Sequence, residues 1–519
     1  MNSMKQRYFL FLGLLLGSGA FTACESYLDV NTDPNNPVTT TPNFLLPGII
    51  SQGFQAQMFT SLTTTYLTQY TVRKTPVGST DQYFLSNANS TNVFNYTYYY
   101  SAGNVPTMTA AAEAEGSPYY VGAGKIMTAM VLAHATDMLG DIPYTEAFKG
   151  AANYTPAYDP QQQIYATINT LLDEGIALME RPASEEFRPL YVTSPSESGD
   201  ILYKGDVQKW IRFANTLKAR QLNHLTKKSS YNPQQVLALL DKGFTSNADD
   251  AQIQYIPAVA PQTSTTNIFG TTRNNYSTAT FSANIIKYLN GNAGGAAYPG
   301  VVDPRYTIMA TSISLGTDPG VSVPSTSFVV NGYSDFYSGW YARDLGIFQV
   351  MTYAEAKFIE AEAAFRAGNL SRAFTAYRAG IRAHMEKVGS GGFNALPPVT
   401  FPLISSAQIE EYLSSAAVAQ SESQLTLKRI MEQKYIAMFL NPESWSDLRR
   451  FDFSDTIYPN FRFPVNANPE VDSKFPRRML PGATEVLYNP AAVAKLFSDV
   501  GATSNGNYIT KPLWWDQAN

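Results

Sequence analysis

From Thr352 to Val388 apolar residues recur at three- and four-residue steps, in two runs separated by a glycine. The first run, Thr352–Phe365, places Ala356, Ile359 and Ala363 on one side, which is helical spacing. Gly368-Asn369 follows, a pair suited to left-handed backbone and hence to ending a helix. The second run repeats the period through Ala373, Tyr377 and Ile381 and leaves Arg372, Arg378 and Arg382 for solvent. Small residues on one helix opposite larger ones on the next predict a close antiparallel pair of tetratricopeptide type. Such a pair cannot bury its apolar face alone, so the pattern demands more helices.

The chain supplies them. Helices are predicted over Leu45–Tyr70, within Tyr119–Phe148 (core side Ile126, Met130, Ala133, Met138), after Asp159-Pro160 (Ile164, Ile168, Leu171, Met179) and over Val207–Leu225 (Trp210, Ala214, Leu217). Asp159 and Asn232, each followed by proline, read as helix caps with proline in the first turn. Leu425–Phe439 and Glu443–Phe451 complete the series. The fold class is therefore mainly α, a superhelix of paired helices. Long irregular insertions interrupt it near 71–118, 245–345 and 389–424. The first of these, rich in Thr, Ser, Asn and Tyr, reads either as an extended ligand-facing loop or as a half-buried strand. A hundred aperiodic residues at 245–345 are too many for a connector, and loops on a rigid frame are where binding residues gather.

Composition changes the picture in one respect. Only 15% of the 519 residues are charged, whereas Tyr (33) and Phe (29) are abundant. Such a surface suits neutral polar ligands or another protein, and a net charge of −5 argues against nucleic acid. Residues 1–23 read as an export segment: Lys5 and Arg7, an apolar run Tyr8–Ala20, then Phe21-Thr-Ala-Cys24. Cys24, the single cysteine, stands where a bacterial lipobox is cleaved and lipidated, with residues 24–519 as one domain. Asp29-x-Asn31-x-Asp33 begins like a calcium loop but has Pro34 where glycine and Thr40 where glutamate are needed, so it reads as a turn. Asp137 and Asp141 read as turn braces and His134 as a hydrogen-bonded core histidine. No catalytic residue, metal or cofactor is expected.

Taken together the motifs resemble the SusD/RagB family of nutrient-binding outer-membrane lipoproteins. Its carriers here are Cys24-Glu-Ser-Tyr-Leu-Asp29, Leu45-Leu-Pro-Gly48, Asp137-x-x-Gly-Asp-Ile-Pro-Tyr-x-Glu-Ala147, Leu202-Tyr-Lys-Gly-Asp206 with Trp210, Asp303-Pro-Arg305, Tyr353-Ala-Glu-Ala356 and Trp445-x-Asp-Leu-Arg449. The resemblance implies four tetratricopeptide-like pairs with a ligand site in the loops. It also implies a lipid-anchored lid at the cell surface that passes oligosaccharide, or alternatively oligopeptide, to a SusC-type TonB-dependent outer-membrane barrel. A scaffold that binds protein alone is the remaining alternative.

Site residues do not carry over by motif, because the binding loops vary. From chemistry and region we expect Arg73, Asp81 and Asn95 to bond hydroxyls or peptide backbone. Tyr83, Tyr96, Tyr98, Tyr276 and Trp340 are expected to offer flat faces. For each, burial in the core or at the barrel interface stands beside ligand contact as an alternative. Trp210 and Trp445 are assigned to the scaffold.

Overall fold

The computed structural model describes residues 40–194, 198–257, 265–310, 316–323, 336–337, 339–391 and 402–518, and Pro42–Asn519 form one unit. Its first helix, α1 (Pro42–Leu67), buries Leu46, Ile49, Phe54 and Met58, together with Thr60, Ser61, Thr64 and Thr65. The threonine hydroxyls avoid being orphaned by donating one turn back, Thr60 to the Ala56 carbonyl at 2.7 Å and Thr64 to that of Thr60 at 3.3 Å. The chain continues as β1 (Thr71–Arg73), α2 (Ala88–Asn95) and α3 (Val105–Ala114), with one wide π-turn at Tyr96–Ser101. Segment 71–118 is thus largely helical rather than loop or long strand. Burial of Val93, Phe94, Tyr98, Ala102, Met108 and Ala112 overrides the weak helix propensity of its Asn, Thr and Ser residues.

The paired helices follow. α4 (Pro118–Leu139) and α5 (Gln161–Met179) lie antiparallel, since Gly122 meets Gly175 at one end and Gln161 donates to the Thr136 carbonyl at the other. α5 begins one residue later than expected. Asp159 instead accepts from the Tyr144 and Thr145 amides at 2.7 and 2.8 Å, and Asp141 receives the Gln161 amide at 2.8 Å. α6 (Val207–His224) and α7 (Pro233–Leu240) are capped by Asp206 and Asn232. Among the described residues of the region read as aperiodic the elements are short: β2 (Ala251–Gln254), β3 (Ala279–Phe281), α8 (Ala283–Leu289) and α9 (Tyr306–Met309), with β4 (Ile347–Met351) just beyond it. β1 pairs antiparallel with β3, setting Arg73 opposite Ala279, and β2 pairs with β4.

α10 (Tyr353–Arg366) and α11 (Leu370–Val388) are the pair that the Ala-rich spacing predicts, with Thr352 capping one and Gly368 at φ 77° between them. Gly380 of α11 packs against the Phe358 ring of α10, the small-against-large contact that close pairing requires. α12 (Ser406–Leu413), α13 (Leu427–Ala437), α14 (Glu443–Arg450), α15 (Ala483–Tyr488), α16 (Pro490–Asp499) and α17 (Asn505–Ile509) finish the chain. Helix packing runs from α4 through α5, α6 and α7 to α10, α11 and α13, as a superhelix of pairs does. Buried ion pairs tie this frame: Arg220 to Glu355 at 2.5 Å, Arg450 to Glu362 at 2.9 Å and Lys434 to Asp447 at 2.8 Å. Trp210, its indole donating to Asp200 at 2.9 Å, and Trp445 lie within the scaffold.

Candidate functional site

One face of α1 collects the chemistry that a polar oligomer needs. Phe59, Thr63 and Tyr66 follow one another at steps of four and three, so they share a side of the helix over roughly 10 Å; Phe59 is half-buried, whereas Thr63 and Tyr66 are buried, covered by Asn89 and Arg73. At the first end the half-buried Phe59 ring stacks on Tyr96, centroids 5.1 Å apart and planes at 17°. Tyr96 in turn lies 5.2 Å from the half-exposed Tyr100, and the Arg273 guanidinium sits 6.0 Å from the Phe59 centroid. In the middle, Thr63 accepts from the Asn89 amide at 3.2 Å. At the far end the Arg73 guanidinium lies 4.9 Å over the Tyr66 ring and donates to the Thr278 hydroxyl. Three local features set this up: the π-turn that swings Tyr96 and Tyr100 over α1, the β1–β3 pairing that carries Arg73, and the loop leading into β3.

The expected site residues divide accordingly. Arg73 and Tyr96 remain partly exposed and belong to the strip. Asn95 is half-buried but turns away, accepting from the Thr484 hydroxyl at 3.1 Å. Asp81 is fully buried and holds β1 in place, accepting the Arg73 amide at 2.9 Å and the Ser79 hydroxyl at 2.6 Å. Tyr83 is enclosed by Phe463 and Phe475. Tyr98 donates to the Pro143 carbonyl at 2.6 Å and packs on Phe94. Tyr276 is sandwiched by Tyr66 and Phe336, and Trp340 lies edge-on to Tyr341. In place of the expected ligand faces, Tyr83, Tyr98, Tyr276 and Trp340 supply core. Cys24 lies outside the described residues. Sequence reasoning missed Phe59, Tyr66, Tyr100 and Arg273. The seven-residue spacing of Phe59 and Tyr66 was visible, but nothing in the run Tyr96–Tyr100 distinguishes outward from inward rings until the π-turn is known.

Two larger surface concavities carry less chemistry. One, of about 480 Å³, runs between the 141–158 segment and α16; the other, of about 400 Å³, lies between 300–308 and 402–415. The polar groups of the first are occupied within the protein: Glu146 accepts the Ala157 amide at 3.0 Å, Asn489 donates to the Pro156 carbonyl at 2.9 Å, and Lys495 pairs with Asp499 at 2.6 Å. In the second, Asp303 is taken up by Arg305 at 2.6 Å.

Inside the frame, Asp137, His224 and Glu443 bring three potential metal-binding atoms within 4.8 Å of one another. They form an ion triad. His224 Nε2 meets Glu443 at 2.5 Å and Nδ1 faces Asp137 at 3.4 Å. Burial alone would depress the imidazole, but Glu443 and Asp137 outweigh it and raise His224 to about 9. In that protonated state both ring nitrogens donate, one toward each carboxylate. Asp137, expected to brace the turn beside Asp141, is thus part of the core and also accepts from Tyr165. His134 is the buried histidine expected: burial lowers it to about 4, and it shares a 2.8 Å hydrogen bond with Thr60.

Comparison with known proteins agrees with this architecture. A family model described as "Starch-binding associating with outer membrane" (SusD-like_2) matches residues 34–480. A comparison with curated proteins finds no match. Among solved structures, a SusD homologue from Bacteroides fragilis is 22% identical, covers 93% of this chain and 100% of its own, and superposes with a TM-score of 0.69. A SusD/RagB family protein from Bacteroides thetaiotaomicron is 24% identical, with coverage of 93% and 100% and a TM-score of 0.66. A chitin-binding SusD homologue from Flavobacterium johnsoniae is 21% identical, with coverage of 92% and 98% and a TM-score of 0.67. At these identities the likeness shows a shared fold. Among the described residues no helix is long and apolar enough to cross a membrane. With the family model spanning most of its length and the same helical frame in these structures, the chain belongs to the SusD-like family of nutrient-binding outer-membrane proteins.

Proposed function

We propose that this protein captures oligosaccharides at the outer membrane and acts as a lid of a SusC-type TonB-dependent barrel, tethered through a lipid on Cys24. The observation that carries the reading is the Phe59–Tyr96 stack flanked by Tyr100 and Arg273, on one helix face with Arg73. Aromatic faces suit the C–H faces of sugar rings, and guanidinium and amide groups orient hydroxyls. Family membership supports the membrane setting and the nutrient-binding role. That a structural relative matched over 98% of its own chain is described as chitin-binding supports a glycan. No step of bond making or breaking is assigned: the buried carboxylates are held within the protein, some by ion pairs such as Glu355 with Arg220, others by amides and hydroxyls as Asp159 and Asp81 are.

The test is calorimetric titration of the purified protein with chitin, starch, xylan and pectin oligomers and with a mixed peptide pool. Saturable heat with an oligosaccharide, lost in F59A and Y96A, supports the reading. Heat with peptides alone transfers the same strip to peptide cargo and contradicts the glycan assignment.

A further inference from the structure

Two hydrogen-bond donors at the Arg73 end of the strip have no acceptor. The Tyr66 hydroxyl and Arg73 Nε are both buried and unpartnered, and they belong to side chains stacked 4.9 Å apart. Buried polar groups are rarely left so, and an orphan costs about 1–3 kcal/mol, so two in one place point to a missing partner. Burial pushes the Tyr66 phenol well above its ordinary value, so it stays protonated and able to donate. A guanidinium only donates. The partner must therefore present acceptors.

Charge narrows the choice. Among the described residues Arg73 has no carboxylate within the 4.0 Å of an ion pair. Asp81 spends its oxygens on the Arg73 amide and the Ser79 hydroxyl. One Nη of Arg73 is tied to the exposed Thr278, which fixes the fork and marks the side open to solvent. A sugar hydroxyl placed here accepts but also brings its own proton beside two donors. A carboxylate only accepts, matches the guanidinium fork bidentately and neutralises its charge.

From this we infer that the Arg73 end of the strip holds the carboxylate of an acidic sugar, so that the captured oligomer contains uronate units. The inference rests on the glycan-capture reading and names the glycan class within it. The rest of the strip then holds the neighbouring rings, with Phe59 and Tyr96 roughly 10 Å along the helix, about two sugar units away.

The experiment is titration with oligogalacturonate and oligomannuronate, each against its carboxyl-reduced counterpart of the same linkage. An acidic oligomer is expected to bind about tenfold tighter than its neutral twin, as one charge-assisted bidentate contact allows. R73Q abolishes the preference. R73K, which keeps the charge but loses the fork, weakens it, and Y66F lowers it. Equal binding of the twins, or a preference that survives R73Q, overturns the inference. If neither uronate binds while a chitin or starch oligomer does, the carboxylate site is wrong and glycan capture stands. If no oligosaccharide binds, both fall.

Discussion

His224 donates to Glu443 across 2.5 Å and faces Asp137 at 3.4 Å, so one buried imidazole joins α4, α6 and α14. Arg220, on the turn before His224, is held by Glu355 of α10 at 2.5 Å, which extends the same network across the pairs. The charges are enclosed, and each therefore depends on its partner for solvation. Removing one leaves the other buried and uncompensated, a loss of about 3–5 kcal/mol. Glu443→Gln is expected to lower stability by that order in urea unfolding. Since Phe59 and Tyr96 lie outside the network, oligosaccharide affinity measured below the transition stays unchanged.

The same triad sets a pH dependence. His224 is raised to about 9 in the folded protein from 6.5. A group whose folded value is raised stabilises fully below its unfolded value and loses that contribution as pH climbs through the folded one. The melting temperature should therefore fall as pH rises from about 6.5 through about 9, corresponding to a loss of about 3 kcal/mol. In His224→Gln the alkaline slope flattens. Thermal scans at fixed ionic strength check both.

Neighbouring tyrosines should separate binding from folding. Tyr98→Ala and Tyr276→Ala remove core rings and are expected to cost about 3–5 kcal/mol. Tyr100→Ala, at a ring half exposed on the strip, leaves stability within about 0.5 kcal/mol and weakens oligosaccharide binding. Parallel melting and titration of the three variants read the contrast.

Glycines give two effects of opposite sign. A Cβ at Gly175 would lie 2.7 Å from Ile126 Cγ1 and 3.2 Å from the Gly122 carbonyl oxygen, so Gly175→Val forces α4 and α5 apart. A loss of about 1–3 kcal/mol is expected. Gly48 sits in α1 with nothing within 4 Å of an added Cβ. Gly48→Ala should stabilise by about 0.5–1 kcal/mol through helix propensity alone. Chemical denaturation of both variants tests the packing and the open site together.

What the chain reveals unaided follows from the range of the interactions. The α10–α11 pair was legible because period, cap and glycine turn are local, and Gly368 takes the left-handed backbone its position implied. The helices of 88–114 were not, because Asn, Thr and Ser reach helical form there only through burial against α1. Arg73 and Tyr96, expected from residue type and region, are partly exposed and lie on the proposed strip. Tyr83, Tyr98, Tyr276 and Trp340 were misplaced because a tyrosine-rich stretch looks the same whether its rings face a ligand or the core. Asp137 was read beside its sequence neighbour Asp141, while its real partners, Tyr165, Gln221 and His224, lie on other helices.

The central claim is that sugar lies along the Phe59–Tyr66 face of α1. Its most direct test is a crystal structure of the protein with whichever panel oligosaccharide binds tightest. The account predicts a pyranose ring against the Phe59–Tyr96 stack, about 4–5 Å from the plane of the ring it covers, with further units running toward Arg73. Sugar density confined to the concavity between residues 141–158 and α16, or to the one beside residues 402–415, with the α1 face empty, would contradict it.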